Sequence, residues 1–446
     1  MLEKNRANVL AKIGIEKVGS IRVIRARSHR VNRMRLLISI DEHYLRDAGD
    51  GIYSSEGTTS YAFWEPYLQV FSHVIILARV KNEGTATRLR AEARADGQGV
   101  SFYPLPDFRG PLAYLQNRRQ VICAVNKATE DADAFLLHGA GFVSGALAHI
   151  LDRKRLRYAL QVIGDPWEVF GKGGVGGPLR PFFRLQATRE LRWVCRNAMA
   201  VRYVTGKTLQ ERYPANPSAF QTGFSDVQLN GALLDETQLA ERICSLKTIN
   251  ERTPRLGFIG TLEQTYKGAD VLLRGLASCA RQGITLTCDL AGEGSLRGQY
   301  ESLASQLGLG STVRFLGRLP AGEAIYRFLD SVDLFVMPSL TEGLPRAMVE
   351  AMARGCPAIG SRVGGIPELL SEECLFPAGD HERLAQMLLS KLNSEELCRM
   401  ARMNLATAGH YAPTLMAEKH MKFLKEILAR STCAQNRSLT HSKKDA

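Results

Sequence analysis

The stretch SLTEGLPRAMVEAMARGCPAIGSRVGG, from Ser339 to Gly365, decides the fold. It follows DLFVMPS, a short apolar run closed by turn residues, which predicts a buried parallel strand. Pro345 then suits the first turn of a helix, and Gly355 and Pro357 end that helix before a new strand. The apolar side of the helix would consist of Met348, Val349 and Met352.

Two carboxylates stand at fixed places on this unit. Glu342 comes at the carboxyl end of the strand, which is where open α/β sheets bind their ligands. The amides of Gly343 and Leu344, at a helix N-terminus, can donate hydrogen bonds to an anion or a sugar hydroxyl. Glu350, two turns into the helix, can accept hydrogen bonds from a vicinal diol such as a ribose.

Seven residues separate Glu342 from Glu350, with GLP after the first glutamate and GCPAIGSRVGGIPE from residue 355. This arrangement resembles the donor site of the retaining nucleotide-sugar glycosyltransferases of family 4, which have the GT-B fold. About thirty consecutive residues match the family. The alternative is a buried βα unit with an incidental acidic pair. The matching residues after the helix include Gly364, Gly365, Pro367 and Glu368.

Composition limits the class of protein. At 446 residues, 45% of them hydrophobic, the chain fits two globular domains of about 200 residues each. Nine cysteines without a CxxC spacing predict a reducing compartment and no structural zinc. The first twenty residues carry charges throughout, and no stretch approaches 18 consecutive apolar residues. We therefore expect neither a signal peptide nor a membrane-spanning segment.

The net charge of +13 is concentrated in the first half of the chain. Residues 1 to 250 hold 35 Lys and Arg against 24 Asp and Glu, which gives +11 and leaves +2 for the rest. A basic half can face nucleic acid, an anionic membrane or a phosphorylated substrate. Because no nucleic-acid motif is visible, we expect no nucleic-acid partner.

Strand candidates recur near residues 255, 286, 313, 333 and 357, separated by segments of helix length, which is typical of a doubly wound parallel sheet. The resemblance implies an α/β chain with the GT-B fold, in which two Rossmann-like parallel-sheet domains face a cleft. The expected divisions are a basic arm (1–33), an acceptor domain (34–225), a linker (226–253), a nucleotide-sugar domain (254–408), a helix packing back on the first domain (409–430) and a disordered tail (431–446).

The first domain offers two further candidates. RLLISI, from residue 35, predicts a first strand followed by a glycine-containing loop, where the family places its donor diphosphate. His138 ends a later strand, and the family often has a histidine near the donor sugar there, although a lone histidine is often structural. Asp165 follows the next strand and either orients the acceptor or caps a helix. The glycines of the first loop are Gly49, Gly51 and Gly57.

By resemblance, Lys267 in GTLEQTYKGAD is the cation that stabilises the leaving diphosphate. The family usually has a second phosphate-binding arginine where this chain has Thr261, so the amide of Gly260 or a residue elsewhere must replace it. The loop AGEG, with Gly292 and Gly294, is expected to pass the nucleobase, although a plain turn explains it as well. The other predicted donor contacts are Gly343, Leu344, Pro345 and Glu350.

A basic amphipathic helix is predicted between residues 180 and 196. It either contacts an anionic membrane or an acidic partner, or is a solvated helix whose other face packs in the core. RKRLR, from Arg153 to Arg157, adds charge in the same domain. The arginines are Arg180, Arg184, Arg189, Arg192 and Arg196, interleaved with Phe182, Phe183, Leu185, Leu191 and Trp193.

The resemblance implies retaining transfer of a hexose from a nucleotide-diphosphate sugar to a lipid-linked or polysaccharide acceptor, in bacterial surface-glycan or glycolipid assembly. We expect a cytoplasmic enzyme, with peripheral attachment to the inner face of the membrane left open. Because no DxD motif follows a strand end and no His/Asp cluster is present, we expect no metal and no cofactor. The alternatives are a nucleotide-sugar epimerase of the same fold and a non-catalytic glycan-binding protein. Intact Lys267, Glu342 and Glu350 argue against the last of these.

Overall fold

The computed structural model describes residues 34–55, 59–82, 93–139, 141–171 and 179–442. The strands are β1 (Arg35–Arg46), β2 (Ile52–Ser54), β3 (His73–Asn82), β4 (Val100–Leu105), β5 (Ala134–His138), β6 (Ala159–Val162), β7 (Ala200–Tyr203), β8 (Phe220–Gly223), β9 (Arg255–Ile259), β10 (Thr287–Ala291), β11 (Val313–Gly317), β12 (Leu334–Met337), β13 (Ala358–Ser361) and β14 (Leu375–Phe376).

Helices connect most of these strands. They are α1 (Tyr61–Leu68), α2 (Gly110–Ala128), α3 (Phe142–Arg153), α4 (Pro166–Val169), α5 (Arg180–Asn197), α6 (Thr208–Arg212), α7 (Glu236–Lys247), α8 (Ala269–Arg281), α9 (Arg297–Gln306), α10 (Glu323–Asp330), α11 (Arg346–Ala353), α12 (His381–Lys391), α13 (Ser394–Gly409) and α14 (Pro413–Ser442).

The described residues form two compact units: one holds those up to 38, from 42 to 135 and from 428 onwards, and the other holds 39–41 and 136–427. In the first unit the strand order is β4-β3-β1, with β2 antiparallel to β1. In the second unit β5-β6-β7-β8 pair in parallel. The same unit contains a separate six-stranded sheet, in the order β11-β10-β9-β12-β13-β14. The predicted α/β class with two Rossmann-like parallel sheets is confirmed.

Burial explains why the predicted strands form. Every residue of β6, β7, β12 and β13 is buried, as expected for parallel strands covered on both faces. In α11, the predicted apolar residues Met348, Val349 and Met352 are buried, and Gly355 follows the helix with a φ of +56°. Pro345 lies at the N-cap, one position before the predicted first turn. The quoted stretch thus folds as its sequence predicts.

The region predicted to be a loop after Ile40 differs from the prediction. β1 continues to Arg46 and forms a hairpin with β2, in which Leu45 lies opposite Tyr53. Tyr44, fully buried, donates from its hydroxyl to Thr59 Oγ1 at 2.8 Å. That tertiary contact fixes residues whose local sequence is rich in turn formers. Gly57 and the predicted basic arm lie outside the described residues.

The predicted linker and tail also contain helix. α7 starts with a capping box formed by Asp235 and Gln238, and its Arg242 donates to the carbonyl oxygens of Asp330 at 2.8 Å and Val332 at 2.5 Å. Arg242, within the predicted linker, therefore packs on the end of α10 and the segment between α10 and β12 of the second sheet. The last helix runs to Ser442, well into the segment predicted to be disordered. The remaining domain boundaries stay a prediction.

The last helix contacts residues of the predicted first domain. In the first unit, Thr432 Oγ1 lies 3.4 Å from Met34 Sδ. In the second unit, the rings of His420 and Phe224 lie 5.8 Å apart. The assignment of this helix as one that packs back on the first domain stays a prediction.

Asp289 of β10 joins three strands of the second sheet. Its buried carboxylate accepts from Arg314 of β11 at 2.7 Å and from Arg255 of β9 at 2.6 Å. Burial raises the pKa of Asp289, but the hydrogen bonds from Arg314 and Arg255 outweigh it, so the pKa is lowered. The carboxylate therefore stabilises the sheet in its ionised form.

We expect Asp289→Asn to lower the free energy of unfolding by about 1–3 kcal/mol, because two guanidinium groups lose the carboxylate charge and one of its two oxygen acceptors. Because the pKa of Asp289 is lowered in the folded state, its carboxylate contributes fully to the free energy of unfolding above the unfolded pKa. That contribution disappears as the pH falls through the folded pKa. Urea titrations at pH 7 and in the acidic range measure both effects. Glu323→Gln, in an exposed pair with Arg327, is the control and should cost less than about 0.5 kcal/mol. Equal losses in the two variants would contradict this account.

Candidate functional site

Two loops meet at the carboxyl end of the second sheet. The loop after β9 contains Lys267, and the loop after β12 contains Glu342. The amide of Leu340 donates to the carbonyl oxygen of Tyr266 at 2.6 Å. Gly268 has a φ of +71°, and a Cβ there would overlap the carbonyl oxygen of Pro338. Only glycine allows the two backbones to approach this closely, and their approach brings Lys267 beside Glu342.

The structure pairs the two predicted catalytic residues. Lys267 Nζ lies 2.7 Å from Glu342 Oε1, with side chains 19% and 8% exposed. Ser339 Oγ donates to the same oxygen at 2.7 Å, and Ser361 Oγ in turn donates to the carbonyl oxygen of Ser339. Glu342 Oε2 accepts no hydrogen bond from the described residues. Sequence reasoning missed both serines, although Ser339 lies only three residues before Glu342.

Gly364 and Gly365, which follow β13, contact the loop that contains Glu342 and Gly343. The amide of Gly365 donates to the carbonyl oxygen of Gly343 at 2.6 Å. Gly364 has a φ of +51°, and a Cβ there would overlap the carbonyl oxygen of Glu342. In the described part of the chain, neither the amide of Gly343 nor that of Leu344 donates a hydrogen bond. Both predicted anion-binding amides are thus open.

Glu350 lies on α11, which begins directly after these amides. Burial raises the pKa of its carboxyl group, and the charge of Arg346 one turn earlier only partly opposes this. Its side chain makes no hydrogen bond with the residues that the structure describes. Arg346, exposed at the first position of α11, has no ion-pair partner there either. Glu350 is therefore a partly buried acceptor without a donor among the described residues.

The loops after β9 and β10 interlock beside Lys267. The amide of Gly260 donates to the carbonyl oxygen of Ala291 at 3.0 Å, and Thr261 Oγ1 accepts from the amide of Glu263 at 3.3 Å. A Cβ on Gly292 would overlap the carbonyl oxygen of Gly260, and one on Gly294 would overlap the backbone of residues 262 and 263. The amide of Gly260 is thus engaged in the fold, which contradicts its expected use as the replacement phosphate contact.

His138 lies in a buried polar cluster at the end of β5. Burial lowers the pKa of His138 to about 4, with Asp226 raising it and Arg202 lowering it. Arg202 is itself buried, donates to Gln161 Oε1 at 3.0 Å and pairs with Asp226. The imidazole is therefore neutral at pH 7. The role of His138 near a donor sugar stays a prediction.

Asp165 caps α4, which is the alternative that the sequence left open beside acceptor binding. Its Oδ1 accepts from the amide of Trp167 at 2.9 Å and from the hydroxyl of Tyr213 at 2.5 Å. Its Oδ2 pairs with Arg212. Both oxygens of this buried carboxylate are thus used within the chain. The acceptor role of Asp165 stays a prediction without a structural contact behind it.

Glu368, named in the sequence only as a matching residue, connects the two sheets of the second unit. It accepts from the amides of Gly206, Lys207 and Thr208 at 2.5, 3.1 and 2.7 Å. Nearby, a Cβ on Gly343 would lie 2.8 Å from the carbonyl oxygen of Ile163, just after β6. One side of the Gly343 loop therefore lies against the end of β6. No signal in the sequence shows the partners of Glu368, because they lie about 160 residues away.

Within the described ranges, no group of three or more His, Cys, Asp or Glu residues is arranged to hold a metal ion. The helices of those ranges include none with the length and apolarity required to cross a bilayer. Gly49 and Gly51 lie in the turn between β1 and β2, where their amides donate to Asp47 at 2.9 and 2.7 Å. Their predicted contact with a diphosphate stays a prediction.

The chain is similar to several known proteins. Residues 253–394 match the family model described as glycosyl transferases group 1. Over 344 residues the chain is 25% identical to Protein CapJ of Staphylococcus aureus, which covers 76% of this chain and 83% of that protein. Over 279 residues it is 29% identical to the amylovoran biosynthesis glycosyltransferase AmsK of Erwinia amylovora, covering 60% of this chain and 63% of that one.

The fold is similar to that of Anabaena HepE, solved in complex with UDP and glucose. The TM-score is 0.60 at 17% identity, and the superposition covers 88% of this chain and 100% of that one. At this identity the similarity shows the fold alone. The family match includes Lys267, Glu342 and Glu350, and it falls on the sheet that carries them. On this evidence residues 253–394 match the group 1 glycosyl transferases, and the fold has two Rossmann-like parallel sheets like those of solved glycosyltransferases.

Proposed function

We propose that the chain transfers a hexose from a nucleotide-diphosphate sugar to a lipid-linked or polysaccharide acceptor in bacterial surface-glycan or glycolipid biosynthesis. The observation that carries this is the pair of Lys267 and Glu342 beside two open amides at the end of the second sheet. The relative AmsK is named for amylovoran biosynthesis, and HepE was solved with UDP and glucose. Both names support a nucleotide-sugar donor and a bacterial glycan product.

The proposed reaction retains the anomeric configuration. The bond from the anomeric carbon to the β-phosphate oxygen breaks, and its electron pair stays on the leaving diphosphate. The acceptor hydroxyl oxygen bonds to the anomeric carbon on the same face, and its proton passes to a β-phosphate oxygen. This scheme needs no carboxylate nucleophile and no metal. It needs fixed positive charge beside the diphosphate.

Lys267 supplies the first positive charge, and the amides of Gly343 and Leu344 supply neutral donors next to it. Arg346 is a second cation, because it is exposed and unpaired at the start of the helix that follows those amides. A cation at a helix N-terminus is unfavourable without an anion nearby. We therefore assign to Arg346 the charge that Thr261 does not provide. Glu342 Oε2, open on the other side of the ion pair, faces a sugar hydroxyl.

Glu350 binds the ribose in this proposal. Its side chain is partly buried, and this burial raises the pKa of the carboxyl group. The carboxylate has no hydrogen bond within the described structure. Two vicinal hydroxyls would supply the missing donors. A partly buried carboxylate with a raised pKa and no protein donor does not stabilise the fold, so its presence is better explained by ligand binding than by folding.

The first test asks for the donor and the product. Thermal unfolding is measured with UDP-, GDP- and ADP-sugars, because a ligand bound by the native state raises the Tm by mass action. The stabilising sugar is then incubated with candidate acceptors in excess EDTA, and products are analysed by mass spectrometry. We expect sugar transfer that EDTA does not abolish.

Three results would contradict the proposal. Conversion of the sugar without an acceptor would indicate an epimerase. Binding without turnover across all acceptors, with release of neither nucleotide nor sugar, would indicate a glycan-binding protein. Activity lost in EDTA and restored by Mg²⁺ or Mn²⁺ would show that the reaction uses a metal.

We expect Lys267→Ala to lower kcat by about a hundredfold or more, because the lost charge acts chiefly on the departing diphosphate. Lys247→Ala, at an exposed position at the end of α7, is the matched control and should retain wild-type turnover. Thermal unfolding shows whether either variant is misfolded. A folded Lys267→Ala protein with near-wild-type kcat would mean that the phosphate site lies elsewhere.

Glu350→Gln is expected to separate stability from binding. The raised pKa means that the ionised carboxylate is disfavoured in the folded state. Glu350 therefore lowers the free energy of unfolding progressively as the pH rises from the unfolded pKa through the folded pKa. At pH 7 the variant should therefore gain about 2 °C in Tm, which is roughly 0.5–1 kcal/mol. Its KM for the donor should rise more than its kcat falls, whereas Glu342→Gln should mainly lower kcat. Loss of stability in Glu350→Gln would show that the carboxylate has a structural partner.

A further inference from the structure

One face of α5 combines unpaired arginines with exposed apolar side chains. Phe182, Arg189 and Arg196 are spaced by seven residues, about two helical turns, so they lie in one row. Phe182 is 62% exposed, and both arginines are exposed. Leu185, on the same face, is 45% exposed, and Leu179 just before the helix is 60% exposed. We call these five residues the outer face of α5.

The opposite side of α5 holds the helix in place. Leu191, Val194 and Cys195 are buried. Glu190, the only acidic residue in the sequence of α5, is turned to His149 at 2.8 Å. The ring of Trp193 stacks on the same histidine, with centroids 4.5 Å apart. The outer face therefore carries positive charge without an acidic residue of its own helix to neutralise it.

The arginines of α5 differ in whether they have partners within the fold. Arg184 donates to the carbonyl oxygen of Trp167 at 2.7 Å and stacks 3.7 Å from its ring. Arg192 donates to the carbonyl oxygen of Arg212 at 3.1 Å. Arg189 and Arg196, by contrast, have no partner among the residues that the structure describes. Arg184 and Arg192, which the sequence grouped with them, are thus engaged within the fold.

More exposed positive charge follows a neighbouring helix. His149, which contacts Glu190 and Trp193 of α5, belongs to α3. α3 ends at Arg153, and residues 153–157, four of them basic, are all exposed. Leu156 among them is 38% exposed. The same combination of exposed arginine and leucine thus recurs at the end of the helix that packs on α5.

We propose that the outer face of α5 docks on an anionic phospholipid bilayer. A helix with an apolar row at one end and unpaired arginines along the same face fits the plane of a lipid interface. Leu179, Phe182 and Leu185 enter the headgroup boundary, while Arg189 and Arg196 bind lipid phosphates. Charge complementarity favours this partner, since the arginines require anions and the three apolar side chains require a surface that removes them from water.

The other occupants fit less well. An acidic polysaccharide would pair with the arginines but would leave Phe182 and the leucines in water. A second copy of the chain would bring the same positive face and repel it. Docking on lipid is independent of the donor chemistry, and it would hold the protein where a lipid-linked acceptor is found.

The test uses the full chain with vesicles of phosphatidylglycerol and phosphatidylcholine in equal parts, and with phosphatidylcholine alone. Co-sedimentation should show binding to the anionic vesicles only, weakened by raised salt. Arg189→Gln with Arg196→Gln should lower the partition coefficient about thirtyfold. Phe182→Ser with Leu185→Ser should lower it at least tenfold. A nucleotide-sugar thermal shift should be unchanged in every variant, which separates this proposal from that on the donor site.

A matched control comes from α2, where Leu112 and Leu115 are 78% and 62% exposed. Leu112→Ser with Leu115→Ser removes similar apolar surface and should leave vesicle binding unchanged. Loss of binding in this control but not in the α5 variants would assign docking to α2 and overturn the proposal. Equal binding to both vesicle types, or none to either, would overturn it as well. If the wild type does not bind vesicles but binds a soluble acidic glycan, and Arg189→Gln with Arg196→Gln abolishes that binding, the ligand of this face is the glycan and the proposal is overturned.

Discussion

The close approach of two backbone segments determines the geometry of the candidate site. Residues 265–268 lie against residues 338–340, joined by the hydrogen bond from Leu340 to Tyr266 and allowed by Gly268. A side chain at position 268 would separate the loops and carry Lys267 away from Glu342. Gly364 plays the same part on the other side of Glu342. Two glycines with positive φ thus fix the position of the ion pair at the carboxyl end of the second sheet.

The ion pair itself is a weak source of stability. Lys267 and Glu342 are only 19% and 8% exposed, and removing two charges from water costs about as much as their attraction returns. The Lys267 ammonium is already desolvated and is held by Glu342, which also accepts from Ser339, so it acts more strongly on an incoming anion than an ammonium in water. The pair is therefore better explained by the stabilisation of a leaving group than by the stability of the fold.

Much of the second sheet could be predicted because its information is local. Short apolar runs bounded by turn residues marked β9 to β13, and the quoted stretch predicted α11 and both glutamates. The hairpin of β1 and β2 was missed because Tyr44 is fixed by a tertiary hydrogen bond to Thr59. The helix α7 was missed because its Arg242 bonds to Asp330, which lies 88 residues further along the chain. The role of Asp165 was left open for the same reason. Its cap is local, but the bonds from Arg212 and Tyr213 come from 47 and 48 residues away.

Five carboxylates of the second unit fall into two groups. Asp165, Asp289 and Glu368 have both oxygens occupied by arginines, hydroxyls or backbone amides of the chain. Glu350 has no such donor, and Glu342 has one oxygen without any from the described residues. A saturated carboxylate contributes to stability, whereas a buried one without donors subtracts from it. Proteins keep such groups where a ligand completes them, because selection for binding tolerates a small loss of stability. The open oxygens of Glu342 and Glu350 lie within one loop and helix, together with the open amides of Gly343 and Leu344. These four open groups therefore lie close together on the second sheet, and a nucleotide sugar has the anion, the diol and the hydroxyls to bind all of them.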